Sequence, residues 1–322
     1  MRIFLTYEVG EEVRRYLEAR LPSVAVQAVH DNSAPTDEVA VIVGSSGLSG
    51  LLERLPSVRL VHIPWAGAET VVPIVRMHPG ILLTNSHANS CATAQYGVAM
   101  LLALTNRLID SHRTVAEGRW PSRGEIPPSV PLRGKTAGIL GAGHIGRNAA
   151  QILAGFGMRI TGMRRAGGSP SPPFEKMYPS SDLEALIAES DVLFIALPAT
   201  SETAGLVGRK QFEMMHDETF LVNVGRGAIV DEVPLFEALE AGKIAGAALD
   251  VWYDYHPVSN DQGRAFPYTL PFHELPNVVL SPHRAGHTFS APTDFDDFIE
   301  NIHRLLRGRS DLVNLIDTTR GY

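Results

Sequence analysis

Cysteine is almost missing from the 322-residue chain, because Cys91 is the only one. A single cysteine excludes an intrachain disulfide and a metal site built from several thiolates, and it favours a reducing compartment. Long apolar runs are also missing, since the longest, residues 98–104, is far too short to span a bilayer. The opening residues 1–10 lack the apolar core of a signal peptide. We therefore expect a cytoplasmic protein.

An excess of positive charge is absent as well, because the formal net charge is −7. This balance argues against a nucleic acid or an anionic membrane as a partner. Hydrophobic residues make up 44% of the chain and charged residues 20%, which is typical of a globular protein and excludes a disordered one. The length exceeds that of a single hydrophobic core, so two domains are expected.

Short apolar runs alternate with amphipathic stretches in two parts of the chain, a pattern typical of α/β domains with mostly parallel sheets. In the first part, the predicted strands are Ile3–Thr6, Val24–Val29, Val39–Val43, Leu60–Ile63 and Ile81–Thr84, and the predicted helices are Glu11–Arg20 and Leu48–Leu55. The second part begins at Lys135, and its predicted strands are 136–140, 158–162, 192–196, 220–224, 245–249 and 277–280. Outside these runs, the pattern predicts a long helix over 90–117, a proline-rich connector over 121–131 and a last helix over 291–306.

A glycine-rich turn, Gly141-Ala-Gly143-His144-Ile145-Gly146, joins the predicted strand 136–140 to a helical pattern at Arg147–Phe156. The first glycine permits a tight turn, the second allows backbone to approach a pyrophosphate, and the third lets the helix pack on the strand. The helix N-terminus then faces the phosphates. This motif is common by chance, but its place between a strand and a helix predicts a dinucleotide site.

The acid that binds the adenosine ribose in many such sites is missing. No Asp or Glu occurs from Ile126 to Phe174, and the strand that should end in the acid runs into Arg164 and Arg165. Guanidinium groups suit a 2′-phosphate, so we expect a preference for NADP(H), with NAD(H) also possible. The alternative is that both arginines are solvated surface charges.

Several segments together resemble the D-isomer-specific 2-hydroxyacid dehydrogenases, the family that includes glyoxylate/hydroxypyruvate reductases and 3-phosphoglycerate dehydrogenase. They are AGAE (66–69), LRGKTAGILGAGHIG (132–146), ALP (196–198), LVNVGRGAIVDE (221–232), AALDVW (247–252) and LPNVVLSPHRAG (275–286). The resemblance implies two Rossmann-like or flavodoxin-like domains with a cleft between them. Residues 1–98 and 288–322 would form the substrate domain and 99–287 the nucleotide-binding domain. It also implies a homodimer joined through the nucleotide-binding domain.

The resemblance implies roles for two residues of the second domain. Arg226 looks like the family arginine that holds the carboxylate and ketone of the substrate, for which a bidentate guanidinium is suited. The alternative is a buried structural ion pair. His283 looks like the general acid/base, because imidazole can donate a proton during reduction and accept one during oxidation.

Further site residues follow from the same resemblance. Ala66 and Gly67 look like the loop that binds the substrate carboxylate, with Trp65 beside it. The residues expected to contact the cofactor are Gly141, Gly143, His144, Ile145, Gly146, Arg164, Arg165, Pro198 and Asp250, the last near the nicotinamide carboxamide. Asn85 and His87 follow a predicted strand and are either substrate contacts or turn residues.

The chain departs from the family at one catalytic position. The family usually has a glutamate five residues after the aspartate and just before a proline, where it pairs with the histidine; here Tyr255 is five residues on and His256 precedes the proline. Tyr255, Asp254 and Glu274 are the candidate substitutes. A neighbouring anion raises a histidine pKa by roughly a unit or more, so we expect reduction to decline at lower pH than in relatives with the glutamate. The aromatic residues between 252 and 272 are expected to pack in the core or a lid.

These observations favour an NADPH-dependent reductase of a small 2-keto acid of the glyoxylate or hydroxypyruvate class, producing the D-2-hydroxy acid. A nucleotide-sensing binding protein, similar to a co-repressor, is an alternative suggested by the incomplete catalytic set. Formate oxidation is a third possibility, because the formate-oxidising branch of the family also lacks the glutamate. However, the chain does not have the rest of that branch's pattern.

Overall fold

A computed structural model describes residues 1–28, 40–288 and 291–322. Contacts between Cα atoms divide these residues into a first unit, Met1–Asn89 with Thr288–Tyr322, and a second unit, Ser90–His287. The boundary expected at residues 98 and 99 lies inside a helix that begins at Ser90. Two residues of the predicted strands, Val29 and Val39, are outside the described part of the chain.

The strands in chain order are β1 (Arg2–Leu5), β2 (Ala25–Ala28), β3 (Ala40–Val43), β4 (Val58–Ile63), β5 (Leu82–Asn85), β6 (Thr136–Leu140), β7 (Arg159–Met163), β8 (Lys176–Tyr178), β9 (Val192–Ile195), β10 (Phe220–Asn223), β11 (Gly246–Leu249) and β12 (Val278–Leu280). The α-helices are α1 (Glu11–Arg20), α2 (Leu48–Arg54), α3 (Val72–Arg76), α4 (Ser90–Thr105), α5 (Leu108–Ala116), α6 (His144–Gly155), α7 (Leu183–Ala188), α8 (Arg209–Met214), α9 (Glu232–Glu240) and α10 (Asp296–Leu306).

The first unit is built on a five-stranded sheet in the order β2-β1-β3-β4-β5, in which every pairing is parallel. Its central strand β3 is buried along its whole length, as expected for a parallel strand covered on both faces. The last helix, α10, packs Phe298, Ile299 and Ile302 into one of the two cores of this unit. A 3-10 turn over Pro292–Phe295 occupies the first part of the helix that the sequence predicts there.

The second unit contains a seven-stranded parallel sheet in the order β12-β11-β10-β9-β6-β7-β8. The chain starts at β6, moves outward through β7 and β8, and then returns to β9 on the other side of β6. The carboxyl ends of β6 and β9 therefore form a topological switch point, where open α/β sheets bind ligands. The glycine-rich turn follows β6 directly, so the predicted dinucleotide motif lies at that point.

The structure corrects three local predictions. The helix predicted over 90–117 is two helices, because Arg107 between α4 and α5 adopts a left-handed conformation with φ of 51° and its side chain donates to the Pro276 carbonyl oxygen. The short strand β8 was not predicted. Residues 181–184, Ser-Asp-Leu-Glu, have the sequence pattern of a capping box and so predict one, but α7 begins after a 3-10 turn and no side chain caps it.

Candidate active site

The glycine-rich turn has the geometry required to hold a dinucleotide. A Cβ atom on Gly141, where φ is +100°, would lie 2.8 Å from the Ala196 carbonyl oxygen, and one on Gly146 would lie 2.0 Å from the Gly141 carbonyl oxygen. A Cβ atom on Gly143 would meet nothing within 4 Å. Close packing explains the first and third glycines, whereas the second faces open space at the start of α6. That space fits the approach of a pyrophosphate to the backbone.

The first turn of α6 begins at His144 and contains no acidic residue, so the positive end of the helix dipole would favour an anion there. Ile145 is half-buried and packs on the core. Pro198 lies after β9 on the other side of the switch point, and its carbonyl oxygen accepts a hydrogen bond from Thr203 Oγ1 at 2.6 Å. The predicted cofactor residues of the turn and of the β9 loop therefore follow adjacent strands.

The two arginines after β7 have different surroundings. The guanidinium of Arg164 donates to the Ala142 carbonyl oxygen at 3.3 Å, which places it beside the glycine-rich turn. Arg165 forms an exposed ion pair with Glu202 from the loop after β9. Arg164 thus lies next to the predicted phosphate cradle, and the charge of Arg165 is balanced by a carboxylate.

Arg226 is in the loop that follows β10. Asn223 fixes this loop, because its Oδ1 accepts from Gly225 N at 3.1 Å and its Nδ2 donates to the Arg226 carbonyl oxygen at 3.0 Å. The Arg226 guanidinium is half-buried and donates to the Gly225 carbonyl oxygen at 2.7 Å. A Cβ atom on Gly227 would lie 2.1 Å from the Trp252 carbonyl oxygen, so the Arg226 loop packs directly against the segment that follows β11.

His283 is in the loop that follows β12 and adopts a left-handed backbone conformation with φ of 54°. Asp250, at the end of β11, accepts hydrogen bonds from Arg284 N at 2.7 Å and Ala285 N at 2.9 Å. Trp252 Nε1 donates to the Ser281 carbonyl oxygen at 2.7 Å. The segments that carry Arg226, Asp250 and His283 are thus joined by direct contacts at the carboxyl ends of three adjacent strands.

Of the three candidate substitutes for the glutamate, Tyr255 lies beside the histidine. Its ring centroid is 5.1 Å from that of His283, with the ring planes inclined by 48°, and its hydroxyl accepts from Trp252 N at 3.3 Å. Asp254 instead accepts from His256 N at 2.8 Å. Glu274 pairs with His273 at 3.8 Å. The sequence analysis names Tyr255 only as a candidate substitute, and the structure places its ring against that of His283.

Four of the six aromatic residues between 252 and 272 lie in or against the hydrophobic core, whereas Tyr255 is 45% exposed. Phe272 and Trp252 are buried, and the ring of Tyr268 lies 5.0 Å from that of Trp252. Glu232 holds this segment by accepting hydrogen bonds from Thr269 N and Oγ1 and from Leu270 N. The segment therefore supports Trp252, which in turn holds the His283 loop.

In the first unit, the candidate substrate loop follows β4. Asn85, at the end of the neighbouring strand β5, donates from Nδ2 to the Ala66 carbonyl oxygen at 2.7 Å. Asn85 therefore fixes the Ala66–Gly67 loop, which favours the turn-residue alternative for it. Trp65 is 39% exposed, and its ring meets that of Tyr7 edge-on at a centroid distance of 6.5 Å.

Sequence reasoning missed Tyr7, Tyr96 and Ser281. Tyr7 comes just after β1, and burial raises the pKa of its hydroxyl to about 12. Its position could have been found by listing the polar side chains that follow each parallel strand. Tyr96 on α4 and Ser281 after β12 form a hydrogen bond at 3.0 Å, and residue type alone gives no signal for that contact.

The chain is similar to known proteins of one enzyme family. The model of the family "D-isomer specific 2-hydroxyacid dehydrogenase, NAD binding domain" matches residues 98–285. The chain is 30% identical over 320 residues to the D-3-phosphoglycerate dehydrogenase of Archaeoglobus fulgidus, covering 96% of this chain and 58% of that protein. It is 38% identical over 246 residues to a glyoxylate reductase of Aeropyrum pernix, covering 74% of this chain and 70% of that protein.

A solved structure gives the same result for the whole chain. The D-isomer specific 2-hydroxyacid dehydrogenase of Xanthobacter autotrophicus, in complex with NADPH and MES, has a TM-score of 0.80 and 26% identity and covers 100% of this chain and 99% of its own. The chain therefore belongs to the D-isomer-specific 2-hydroxyacid dehydrogenase family, whose members are oxidoreductases that use a nicotinamide cofactor. The expected family and the expected fold of two parallel-sheet α/β domains are both confirmed.

Within residues 1–28, 40–288 and 291–322, no helix combines the length and the apolar character needed to cross a membrane. The same ranges contain no group of three or more His, Cys, Asp or Glu side chains arranged to hold a metal ion.

Proposed function

We propose that the protein is an NADPH-dependent reductase that converts a small 2-keto acid of the glyoxylate or hydroxypyruvate class into the D-2-hydroxy acid. One observation carries this proposal: the Arg226 loop packs on Trp252, and Trp252 donates to the His283 loop. The Arg226 loop after β10 and the His283 loop after β12 are thereby joined through the segment after β11, the strand that lies between them. The glyoxylate reductase among the relatives supports the substrate class.

The reaction needs a held carboxylate, a stabilised oxyanion and a proton donor. Arg226 offers paired N–H donors to the planar carboxylate and places positive charge near the ketone oxygen, where negative charge develops. Protonated His283 gives its proton to that oxygen as the alkoxide forms. When bound, a reduced nicotinamide supplies the hydride that the ketone carbon accepts. The hydride on the carbon and the proton on the oxygen are the two hydrogens that the keto acid gains.

The cofactor preference rests on residues around the glycine-rich turn. The turn from Gly141 to Gly146 would hold the pyrophosphate, and Arg164 would pair with the 2′-phosphate of NADPH, because its guanidinium lies beside the turn. Arg164→Asp should decrease the ratio of kcat/KM for NADPH to that for NADH by about 10-fold or more, since a phosphate would then face a carboxylate. Arg209→Asp is the control, because Arg209 is on α8 in an exposed ion pair with Glu237. An unchanged ratio in Arg164→Asp would exclude the preference.

The test of the function is a panel of 2-keto acids with NADPH and NADH. His283→Gln should reduce kcat by about 100-fold or more while the Kd for NADPH, measured by cofactor fluorescence, stays near the wild-type value. His287→Gln is the matched control, because His287 is an exposed histidine of the same segment. Failure of the wild-type protein to reduce any 2-keto acid with either nucleotide would refute the proposal.

We also propose that the protein is a cytoplasmic homodimer joined through its second unit. Three large apolar side chains on and after α5 are strongly exposed there: Leu108 by 60%, Val115 by 54% and Trp120 by 90%. These residues are near one another in the sequence, and exposed apolar groups favour association. Light scattering should give twice the mass of the chain, and Val115→Asp combined with Trp120→Ser should shift the protein toward the monomer.

A further inference from the structure

Asp250 directs its carboxylate at residues on either side of His283. The side chain is only 1% exposed and accepts three hydrogen bonds: Oδ1 from Ser281 Oγ at 2.5 Å and Arg284 N at 2.7 Å, and Oδ2 from Ala285 N at 2.9 Å. These donors come from the residue two positions before His283 and from the two residues after it. We propose that Asp250 is the positioning residue that holds His283 in its catalytic orientation, an inference that rests on the proposed function.

His283 needs such support because its backbone is left-handed, with φ of 54°. L-residues other than glycine seldom adopt this region, although histidine tolerates it better than most. Such a conformation persists when the surrounding structure determines it from several sides. Asp250 does so, since its three hydrogen bonds fix the chain immediately before and after the residue whose imidazole must meet the substrate.

The hydrogen bonds around Ser281 have a defined direction. A serine hydroxyl carries one proton, and a carboxylate only accepts, so Ser281 Oγ donates to Asp250. The hydroxyl of Tyr96, 3.0 Å from Ser281 Oγ, is then the donor in that pair. Trp252 Nε1 donates to the carbonyl oxygen of the same serine at 2.7 Å. A chain of donors thus runs from α4 through Ser281 to Asp250 and fixes the start of the His283 loop.

This arrangement gives Asp250 a different role from the one expected from family resemblance. The sequence analysis places Asp250 near the nicotinamide carboxamide as a cofactor contact. Three of the roughly four acceptor positions of its carboxylate are instead occupied by donors of its own chain, and the side chain is almost fully buried. Asp250 therefore acts on the reaction through His283.

Asp250→Asn is the decisive variant, because it keeps the volume but replaces one acceptor oxygen by an NH₂ group. That group must face Arg284 N or Ala285 N, so either orientation loses a backbone hydrogen bond. Asp191→Asn is the matched control, since Asp191 also accepts a backbone hydrogen bond, from Thr136 N at 2.7 Å. Asp191 precedes β9, so it lies at the amino ends of the strands and not at the carboxyl ends, where Asp250 lies. We expect kcat to decrease by about 10–100-fold in Asp250→Asn, as when an orienting partner is removed, and to stay near wild type in Asp191→Asn.

A double-mutant cycle distinguishes positioning from cofactor contact. If Asp250 acts through His283, adding Asp250→Asn to His283→Gln should change kcat by less than about 3-fold, because residues that act as a unit are not additive. The Kd for NADPH should stay within about 2-fold of wild type in both backgrounds. A higher Kd that persists in the His283→Gln background would identify Asp250 as a cofactor contact and overturn the proposal.

The orientation of His283 can also be followed without turnover. In the NMR spectrum of the cofactor-bound protein, the imidazole Cε1–H signal of His283 is identified by its loss in His283→Gln. It should move toward the random-coil position in Asp250→Asn but not in Asp191→Asn, and an unmoved signal with unchanged kcat would overturn the proposal.

If Asp250→Asn does not fold, Ser281→Ala removes one of the three donors and should shift kcat and the signal in the same direction by less. A wild-type protein that reduces no 2-keto acid refutes the proposed function, whereas the NMR result still tests the positioning.

Discussion

His62 is a neutral histidine enclosed in the first unit, and it should make the stability of that unit depend on pH. It lies on β4 with 1% of its surface exposed, its Nδ1 is 2.9 Å from Thr84 Oγ1, and its ring is 4.8 Å from that of Phe298 on α10. Burial lowers its pKa to about 3, because a charged imidazole would lose its hydration in this core. The unfolded chain carries a histidine with a pKa near ~6.5.

Proton linkage gives the sign and the size of the change in stability with pH. Between about pH 3 and 6.5 the unfolded chain binds a proton at His62 that the folded chain does not, so protonation favours unfolding. The free energy of unfolding therefore has its full value above pH 6.5. Below that pH, it decreases by about 1.4 kcal/mol for each pH unit because of His62. At pH 5, about 1.5 units below the unfolded pKa, the folded first unit should have lost about 2 kcal/mol relative to pH 7.

Urea unfolding of wild type and His62→Gln at pH 7 and pH 5 tests this value. Hydrogen exchange of the β4 and β5 amides assigns the transition to the first unit, since the two units need not unfold together. Glutamine does not titrate, so His62→Gln should lose about 2 kcal/mol less than wild type between the two pH values. The exposed His112 provides the control, and His112→Gln should behave like wild type. Equal losses in wild type and His62→Gln would refute the reasoning.

Three further predictions concern single contacts around the site. Asn85→Ala removes the 2.7 Å hydrogen bond to the Ala66 carbonyl oxygen and should raise the KM for the keto acid by about 5-fold, as expected for one hydrogen bond; an unchanged KM would contradict this. Gly227→Ala would place Cβ 2.1 Å from a carbonyl oxygen, so thermal unfolding should show a Tm lower by several degrees, with activity reduced. Glu202→Gln removes the carboxylate paired with Arg165. It should lower the KM for NADPH by about 2–4-fold and leave the KM for NADH unchanged. Equal effects on both cofactors would argue against a 2′-phosphate site at the arginines after β7.

Much of the fold follows from local patterns in the sequence. Buried parallel strands appear as short apolar runs, and the strand predicted at 136–140 agrees with β6 to the residue. The break after α4 has no such signal, because the apolar pattern continues through it. Arg107 turns the chain there and donates to the Pro276 carbonyl oxygen, 169 residues away. A contact this distant in sequence cannot be found from a local pattern.

The residues of the candidate site also differ in how far the sequence alone reveals their roles. Arg226 and His283 are recognisable because they stand in the segments LVNVGRGAIVDE and LPNVVLSPHRAG, which resemble motifs of the family. The part played by Asp250 is not, since two of its three donors are backbone N–H groups, which every residue except proline possesses. A hydrogen bond to backbone therefore leaves almost no trace in residue type, and only the folded loop reveals it.

The register of three neighbouring strands explains why these residues meet. Leu249 on β11 pairs with Asn223 on β10 and with Leu280 on β12, so all three strands end at the same level of the sheet. The next backbone bonds continue this alignment, from Asp250 N to the Asn223 carbonyl oxygen and from Ser281 N to the Leu249 carbonyl oxygen. Asp250 and Ser281 consequently lie side by side, and the Arg226 and His283 loops leave from the same edge. Because a slip of one residue would turn each side chain to the opposite face, the parallel register of β10, β11 and β12 is itself a requirement of the proposed chemistry.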